Sequence, residues 1–258
     1  MLKNERHEEI LKILKEEHFA AVRDIGKRVH ASQPTIRRDL DLLERLGYVR
    51  RSHGGVILAD GRNNSPVPFR KGKRLKEKTN ICRLASKLIK SGQTIFIDAS
   101  TTAFCLSGFL PKDGDLTVIT NGLSLCRTLS ENKIRVFSTG GRLVRESEAF
   151  VGQTAEMAAK SFFADIMFFS SSAMDENGVI SDYSEEETAL RKVMKDFSRT
   201  TVFLCDSGKL DSRSAFRVFT LSDIDYFVTN ETIPNNIAQK CGLSMFMSDE
   251  GAVMYKRS

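Results

Sequence analysis

Three stripes of apolar residues recur at helical spacing through the first 58 residues. Their members are Ile10, Ile13 and Leu14; Val22, Ile25 and Val29; and Ile36, Leu40, Leu43 and Leu46. Gly47 follows the third stripe in the manner of a helix end. The run "YVRRSHGGVIL" after it is typical of two short strands around a Ser-His-Gly-Gly turn. The pattern predicts three short helices followed by a β-hairpin.

A different rhythm begins near residue 77, where short, nearly all-apolar runs alternate with helical segments such as "EETALRKVMKDFS". The runs occupy 94–97, 116–119, 134–137, 166–169, 201–204 and 225–228, with 244–247 a weaker candidate. Apolar runs of this kind are typical of strands that are buried on both sides. The alternation predicts an α/β domain with a mostly parallel sheet and helices on both faces.

The stretch "ADGRNNSPVPFRKGKRLKEK" separates the two patterns. It contains two of the five prolines, and it holds seven Lys and Arg residues against two acids. Turn formers and excess charge of this kind favour a linker. We therefore expect a first domain over 1–58, a basic linker over 59–76 and a larger α/β domain over 77–258.

Charge is divided unevenly along the chain. Residues 1–78 hold 19 Lys and Arg against 11 Asp and Glu, whereas residues 79–258 hold 20 against 22. The net charge of +6 therefore originates in the first third. Such asymmetry indicates a module that faces nucleic acid, joined to a nearly neutral domain of another kind.

Composition restricts the other classes of function. No apolar run approaches the length of a membrane span, and the charged N-terminus does not resemble a secretory signal, so no membrane partner is expected. The five cysteines are scattered without a C-x-x-C pair, which argues for a reducing cytoplasm and against disulfides or a zinc site. Neither a metal nor a cofactor is expected.

The third predicted helix carries the candidate DNA-binding residues. Ser32 is suited to the N-cap and Pro34 to the first turn, while the apolar stripe turns the polar side chains outward. A tight link to the preceding helix fits helix-turn-helix geometry, and the hairpin would form a basic wing. Side chains suited to contacts with bases or phosphates are Ser32, Gln33, Thr35, Arg37, Arg38, Arg50, Arg51 and His53.

A second interpretation of Arg37 and Arg38 is that they are ordinary solvated charges, with Asp39, Asp41 and Glu44 as local partners. The order of cap, tight turn, exposed polar helix and basic wing favours DNA binding instead.

Polar residues follow several predicted strands of the larger domain. "DASTT" follows 94–97, "TNG" follows 116–119, "STGGR" follows 134–137, and "CDSGK" follows 201–204. Ligands of open α/β sheets bind at the carboxyl ends of strands. Hydroxyls and backbone N–H groups before a helix suit a phosphate, Lys209 adds a positive charge, and Asp98 could accept bonds from sugar hydroxyls. Each motif alone is a common turn or cap, but their recurrence favours a site for a small anion.

These motifs resemble the DeoR family of bacterial transcriptional regulators. The N-terminal block carries that family's "TIRRDL" pattern with Leu43, Gly47, Arg51 and the His-Gly-Gly run that begins at His53. "FIDASTTAFCLSGFL", "VITNGLSLCRTL", "STGGRLVRESEAFVGQTAE" and "VFLCDSGK" resemble the family's effector-sensing domain, which is similar to ribose-5-phosphate isomerase. The resemblance implies a winged helix-turn-helix and a phosphorylated sugar or related effector. The effector-site residues that it implies are Asp98, Ser100, Thr101, Thr102, Asn121, Gly122, Gly140, Gly141, Glu187 and Lys209.

The sequence departs from that pattern in two places. Ser100 stands where the family usually has glycine, and serines 170–172 stand where the isomerases have an acidic pair. The larger domain also lacks histidine, the commonest acid–base group. We therefore expect a binder with no catalytic residues, and most simply a repressor of carbohydrate-metabolism genes.

Its expected partners are duplex operator DNA, the effector and further copies of the chain, as a dimer or tetramer. Two alternatives stay open. One is a sugar-phosphate enzyme that relies on Glu187 and Lys209, and the other is a DNA-binding protein without a ligand.

Overall fold

A computed structural model describes most of the chain and divides it into two compact units, 1–66 and 67–258. The described residues are 3–17, 19–45, 48–52, 55–58, 67–111, 115–131 and 134–258. The first unit thus extends beyond the predicted limit of 58, and the second begins ten residues before the predicted 77.

The first unit contains the three predicted helices and the predicted hairpin. Its helices are α1 (Lys3–Glu17), α2 (Val22–Arg28) and α3 (Gln33–Arg45), and its strands are β1 (Phe19–Ala20), β2 (Val49–Ser52) and β3 (Gly55–Leu58). The strands form an antiparallel sheet in the order β1–β3–β2, so the hairpin gains a third strand that the sequence pattern did not predict.

The predicted apolar stripes form the core of this unit. Ile10, Leu14, Ile25, Ile36 and Leu40 are fully buried, whereas Leu46 and Gly47 lie outside the described residues. The turn from α2 to α3 is tight because the Ala31 N–H donates to the Gly26 carbonyl at 3.0 Å. This turn fixes α3 against α2 in the manner of a helix-turn-helix.

The second unit is built on an eight-stranded sheet in the order β15–β16–β14–β12–β9–β4–β5–β6. These strands are β4 (Thr94–Ile97), β5 (Thr117–Thr120), β6 (Arg135–Ser138), β9 (Ala164–Phe169), β12 (Ser198–Cys205), β14 (Tyr226–Thr229), β15 (Leu243–Asp249) and β16 (Ala252–Arg257). Six of them run parallel, and only β15 and β16 are antiparallel additions at one edge.

Two small antiparallel sheets accompany the large one. They consist of β7 (Arg142–Val144) with β8 (Ala149–Val151), and of β10 (Ala173–Met174), β11 (Val179–Asp182) and β13 (Phe216–Thr220). The helices are α4 (Val67–Gly72), α5 (Leu75–Ala85), α6 (Thr101–Phe104), α7 (Leu123–Ser130), α8 (Gln153–Lys160), α9 (Glu185–Asp196) and α10 (Asn235–Lys240).

Each face of the large sheet buries its own apolar cluster, as the all-apolar strands predict. Phe96, Phe169 and Phe203 belong to one cluster, while Ile95 and Ile97 belong to the other. Successive residues of β4 therefore point to opposite, equally buried faces. The parallel register also places Ile97 opposite Thr120 and Phe168, so these strands end at a common edge.

Part of the predicted linker is folded. Residues 67–76, assigned to the linker by their charge, form α4 and the start of α5 in the second unit. Val67 is buried, and the Lys71 ammonium lies 4.1 Å from the centre of the Phe104 ring. Lys71 therefore faces the fold, which the linear pattern could not indicate, whereas Lys73, Arg74 and Lys76 are exposed.

Candidate functional site

The candidate DNA-binding residues lie on α3 and the hairpin. Gln33, Arg37 and Arg38 are exposed. Ser32 caps the helix, since its Oγ accepts from the Thr35 N–H at 3.4 Å and lies 2.9 Å from the Thr35 Oγ1. His53 and the side chain of Arg50 lie outside the described residues, so their predicted roles stay predictions.

The nearby acids have other partners than Arg37 and Arg38. Asp39 is buried, and its carboxylate lies 2.6 Å from the Arg6 Nε and 2.9 Å from the His7 Nε2. Asp41 and Glu44 both pair with Arg51 of the hairpin.

Within the described part of the first unit, no ion pair involves the side chain of Arg37 or Arg38. The local neutralisation considered for these two arginines is therefore not the arrangement observed. An open groove of about 440 Å³ is lined by Arg37 together with Arg23, Gln33 and Arg51.

A buried ion cluster lies at the carboxyl edge of the large sheet. The Arg191 guanidinium binds Asp98 (Nε–Oδ2 2.8 Å), Asp182 (Nη1–Oδ2 2.9 Å) and Glu187 (Nη2–Oε2 3.1 Å). Burial lowers the pKa of Arg191, but the three carboxylates outweigh it and raise that pKa above its ordinary value. Arg191 was not predicted from the sequence, although its i, i+4 spacing from Glu187 is a recognisable signal.

Asp98 and Ser100 make hydrogen bonds within the protein. The Asp98 Oδ1 accepts from both the N–H and the hydroxyl of Ser100, and its Oδ2 accepts from Arg191. The Ser100 Oγ also accepts from the Ala103 N–H at 3.2 Å, which makes Ser100 the N-cap of α6. Asp98 thus positions Arg191 and the turn at Ser100, and its predicted contact with a sugar hydroxyl stays a prediction.

Two lysines contact the first two residues of α6. The Lys78 Nζ donates to the Thr101 Oγ1 at 3.1 Å, and the Lys209 Nζ donates to the Thr102 Oγ1 at 3.0 Å. Lys209 also donates to the Ser170 Oγ at 2.8 Å. Burial, together with the charge of Lys209, lowers the pKa of Lys78 to about 8. The structure therefore brings Thr101, Thr102 and Lys209 together and adds Lys78, which the sequence pattern had placed beside the linker.

Asn121 and Gly122, which were predicted as effector-site residues, have structural roles in the loops around them. The Asn121 side chain accepts from the Ala99 N–H at 2.9 Å and donates to the Phe150 carbonyl at 3.1 Å, so it joins two loops. Gly122 lies against Ala99, where a Cβ would come within 3.1 Å of the Ala99 Cα.

The two glycines after β6 are needed for their turn. Gly140 and Gly141 have φ values of 60° and 105°, and a Cβ on Gly141 would meet the Val151 carbonyl at 2.6 Å. Their conformation alone explains glycine at both positions.

Glu187 is buried and only half satisfied. Its Oε2 binds Arg191, whereas its Oε1 has no hydrogen-bond partner among the described residues. Burial raises the pKa of Glu187, and Arg191 opposes that rise. The hydroxyl of Ser147 lowers the same pKa as a hydrogen-bond donor would, although the Ser147 Oγ and the Glu187 Oε1 do not meet the geometry of a hydrogen bond.

A further cation enters from α4. The Lys71 Nζ donates to the Ser124 Oγ at 2.8 Å, and Ser124 in turn donates to Glu148. Lys71, Asp98, Thr101 and Glu148 line the same small cavity. The sequence pattern did not indicate Lys71 or Glu148, because their proximity depends on the folding of α4.

The arrangement can bind an anion through ammonium and hydroxyl groups. The serines that stand in place of an acidic pair make structural hydrogen bonds, since Ser171 donates to the Ser181 carbonyl. The nearby Asp175 is paired with Arg213. In the part of the chain described, no group of His, Cys, Asp and Glu side chains is arranged to hold a metal. None of the described helices is long and apolar enough to span a membrane.

Comparison with known proteins identifies both units. Residues 6–62 match the DeoR-like helix-turn-helix domain, and residues 73–231 match the DeoR C-terminal sensor domain. The transcriptional regulator YulB of Bacillus subtilis is 34% identical over 89% of this chain and 90% of its own length. The glycerol-3-phosphate regulon repressor of Haemophilus influenzae is 28% identical over 90% of this chain and 91% of its own.

Among solved structures, ribose 5-phosphate isomerase A of Methanocaldococcus jannaschii matches with a TM-score of 0.40 at 14% identity. That match covers 69% of this chain and 77% of the isomerase. Because the two family models together span both units, the chain belongs to the DeoR family of helix-turn-helix transcriptional regulators.

Proposed function

We propose that this protein is a cytoplasmic repressor of carbohydrate-metabolism genes, which binds operator DNA through α3 and is released by a phosphorylated sugar or related metabolite. The observation that carries the ligand assignment is the pair of ammonium groups, Lys78 and Lys209, on the adjacent hydroxyls of Thr101 and Thr102. Two cations beside two hydroxyl donors suit a phosphate dianion.

The burial of Lys78 supports this assignment. A lysine with a pKa near 8 is destabilised as a cation, and a bound anion would remove that penalty. Several relatives are named repressors, and three of them are glycerol-3-phosphate regulon repressors. Helix-turn-helix proteins commonly read two half-sites, so at least a dimer is expected on DNA.

Glu187 favours a second candidate function, an aldose–ketose isomerase. A buried carboxylate with a raised pKa is suited to proton transfer. However, Asp175 is bound to Arg213 and the Glu187 Oε2 to Arg191, so we rank binding without turnover first. Turnover of a pentose or hexose phosphate that Glu187→Gln abolished would reverse this ranking.

The decisive experiment measures operator affinity of the full chain with inorganic phosphate and with a panel of sugar phosphates. We expect at least one sugar phosphate to raise the melting temperature and weaken operator binding, because a ligand that binds only the native state stabilises it. Lys209→Met should remove both effects, and the exposed Lys160→Met is the matched control.

If no phosphorylated compound changed stability or operator affinity, the protein would instead be a DNA-binding protein without this ligand. That alternative also predicts that Lys209→Ala and Thr101→Ala have no effect on regulation.

A further inference from the structure

Unsatisfied polar atoms are concentrated in one corner of the second unit. Among the described residues, five buried side-chain atoms lack a hydrogen-bond partner, and three of them are the Arg70 Nε, the Ser147 Oγ and the Glu187 Oε1. An unsatisfied buried polar group is costly and calls for an explanation, such as a ligand that completes it.

Several contacts place these three side chains in the same corner. The Arg70 Nη2 donates to the Glu146 carbonyl at 3.5 Å, next to Ser147 in the chain. Glu187 is joined to this corner through Arg191, which binds both Glu187 and Asp98, and Asp98 lines the same cavity as Ser147. Arg70 and Ser147 also lower the pKa of Glu187. Ser147 lines the cavity that Asp98 and Thr101 also line, so the corner adjoins the lysine and threonine pairs described above.

The chemistry of the three atoms selects a neutral hydroxyl. The Arg70 Nε can only donate, the Glu187 Oε1 accepts, and the Ser147 hydroxyl does both. Each sugar hydroxyl also donates and accepts, so adjacent hydroxyls match this set. A second anion fits poorly, because the three carboxylates around Arg191 already leave an excess of negative charge beside Arg70.

We propose that Arg70, Ser147 and Glu187 form a hydroxyl-binding subsite for the carbon chain of the effector, and that a bound hydroxyl ties α4 to the β7–β8 hairpin and α9. This inference rests on the proposed function, since the phosphate of the same ligand would lie at Lys78 and Lys209.

The position of α4 in the chain connects the subsite to the DNA-binding unit. α4 begins at Val67, the first residue of the second unit, so it is where the chain arrives from the DNA-binding unit. It also supplies Lys71 to the same cavity, and its Arg70 carbonyl accepts from Lys78. A ligand that completes the Arg70 contacts therefore holds the segment through which the two units are connected.

Matched probes can test the subsite by calorimetric titration of the full chain. Glucitol 6-phosphate and n-hexyl phosphate share a six-carbon chain and differ by their hydroxyls, as do glycerol 3-phosphate and n-propyl phosphate on three carbons. Inorganic phosphate reports on the phosphate site alone. We expect the wild-type protein to bind the hydroxylated member of at least one pair about tenfold more tightly or better, as one or more completed hydrogen bonds would give.

Two variants should remove this preference. Arg70→Met and Ser147→Ala should each reduce it to about threefold or less, with little change in the affinity for inorganic phosphate or the alkyl phosphates. Arg145→Met, an exposed arginine of the same hairpin, should leave every affinity unchanged. Melting temperatures establish that the variants are folded, and Ser147→Ala, which removes one hydroxyl, provides the test if Arg70→Met is unstable.

The outcomes separate the two proposals. A wild-type protein that bound both members of each pair equally would overturn the subsite and leave phosphate binding intact, and so would full preference in Arg70→Met and Ser147→Ala. If no probe bound at all, the proposed function would fail and the subsite with it. Hydrogen exchange over 67–72 that did not slow on binding of the preferred probe would overturn the tie to α4.

Discussion

Arginines serve opposite purposes in the two units. Arg37 and Arg38 of the first unit are exposed, while the acids around them are bound to Arg6, His7 and Arg51. Arg191 of the second unit is buried, and it binds three carboxylates. The same side chain is therefore left exposed to solvent in one unit and used to join three buried carboxylates in the other. Residue type alone does not distinguish these uses, but the location of the carboxylates does.

The largest expected effect is on stability and follows from breaking the buried cluster. Arg191→Met would leave Asp98, Asp182 and Glu187 buried without their cation, at a cost of about 3–5 kcal/mol in the free energy of unfolding. The loss should shrink as pH falls toward 5, because the carboxylate of Glu187, whose pKa burial raises, then becomes protonated. Urea unfolding at several pH values measures both effects.

A matched control for that experiment is Arg142→Met, which removes the partner of Glu186 in an ion pair whose two side chains are both exposed. Exposed ion pairs contribute little, so the unfolding midpoint should hardly move. Equal losses in the two variants would mean that the Arg191 cluster has no special structural role.

The second effect concerns DNA affinity. Arg37→Ala or Arg38→Ala should weaken operator binding by roughly 1–3 kcal/mol if the lost contact is to a base, with reduced specificity at one position. A lost phosphate contact would weaken all sequences alike and lower the salt dependence. Fluorescence anisotropy on operator and random duplexes separates the two roles.

Lys12→Ala is the control for the arginine variants, because Lys12 is exposed on α1 and is paired with Glu9. If Lys12→Ala weakened operator binding as much as Arg37→Ala, net charge rather than the α3 surface would explain the affinity.

The third effect is a pH dependence that only the second unit should show. The pKa of Lys78 is about 8 without an anion, and a bound phosphate should raise it. Effector affinity should therefore fall by roughly tenfold between pH 7 and 9.5, as Lys78 loses its proton in the ligand-free protein. In Lys78→Arg the side chain stays charged, so a pH profile as steep as that of the wild type would exclude Lys78 as the cause.

The smallest effect tests an arginine of the first unit that is locally paired. Asp41→Asn would remove one of the two ion pairs of Arg51 and, with it, a negative charge on α3. Because exposed pairs are weak, we expect only about twofold tighter binding, equal on operator and random DNA. A gain confined to the operator would contradict this purely electrostatic account.

The fold was largely predictable where a periodic pattern decided it. Thr94–Ile97 was predicted with correct limits, and the other long parallel strands shift by one to three residues at either end. The short strands Arg142–Val144 and Phe216–Thr220 were missed, because mixed polarity over three to five residues does not distinguish a strand from a loop. β1 was missed for the same reason.

The candidate site was predictable only as a set of loops. The strand endings indicated Thr101, Thr102 and Lys209, which do converge. Arg70 and Lys71 were interpreted as linker charge, because nothing local shows that a basic side chain beside prolines and glycines faces the folded unit. Lys78 lay just beyond the predicted linker and received no functional assignment. Asn121 and Gly140 were assigned to the ligand from their family resemblance, whereas their contacts and backbone angles show that they also serve the fold.

The two cations on Thr101 and Thr102 come from distant parts of the chain, Lys78 before the first strand of the large sheet and Lys209 after the fifth. A chain truncated between Lys78 and Lys209 would lack Lys209 but would keep the first unit, with its helix-turn-helix, complete. Under the proposed function, such a fragment would no longer respond to the metabolite. Wherever it still bound DNA, it would repress its target genes constitutively.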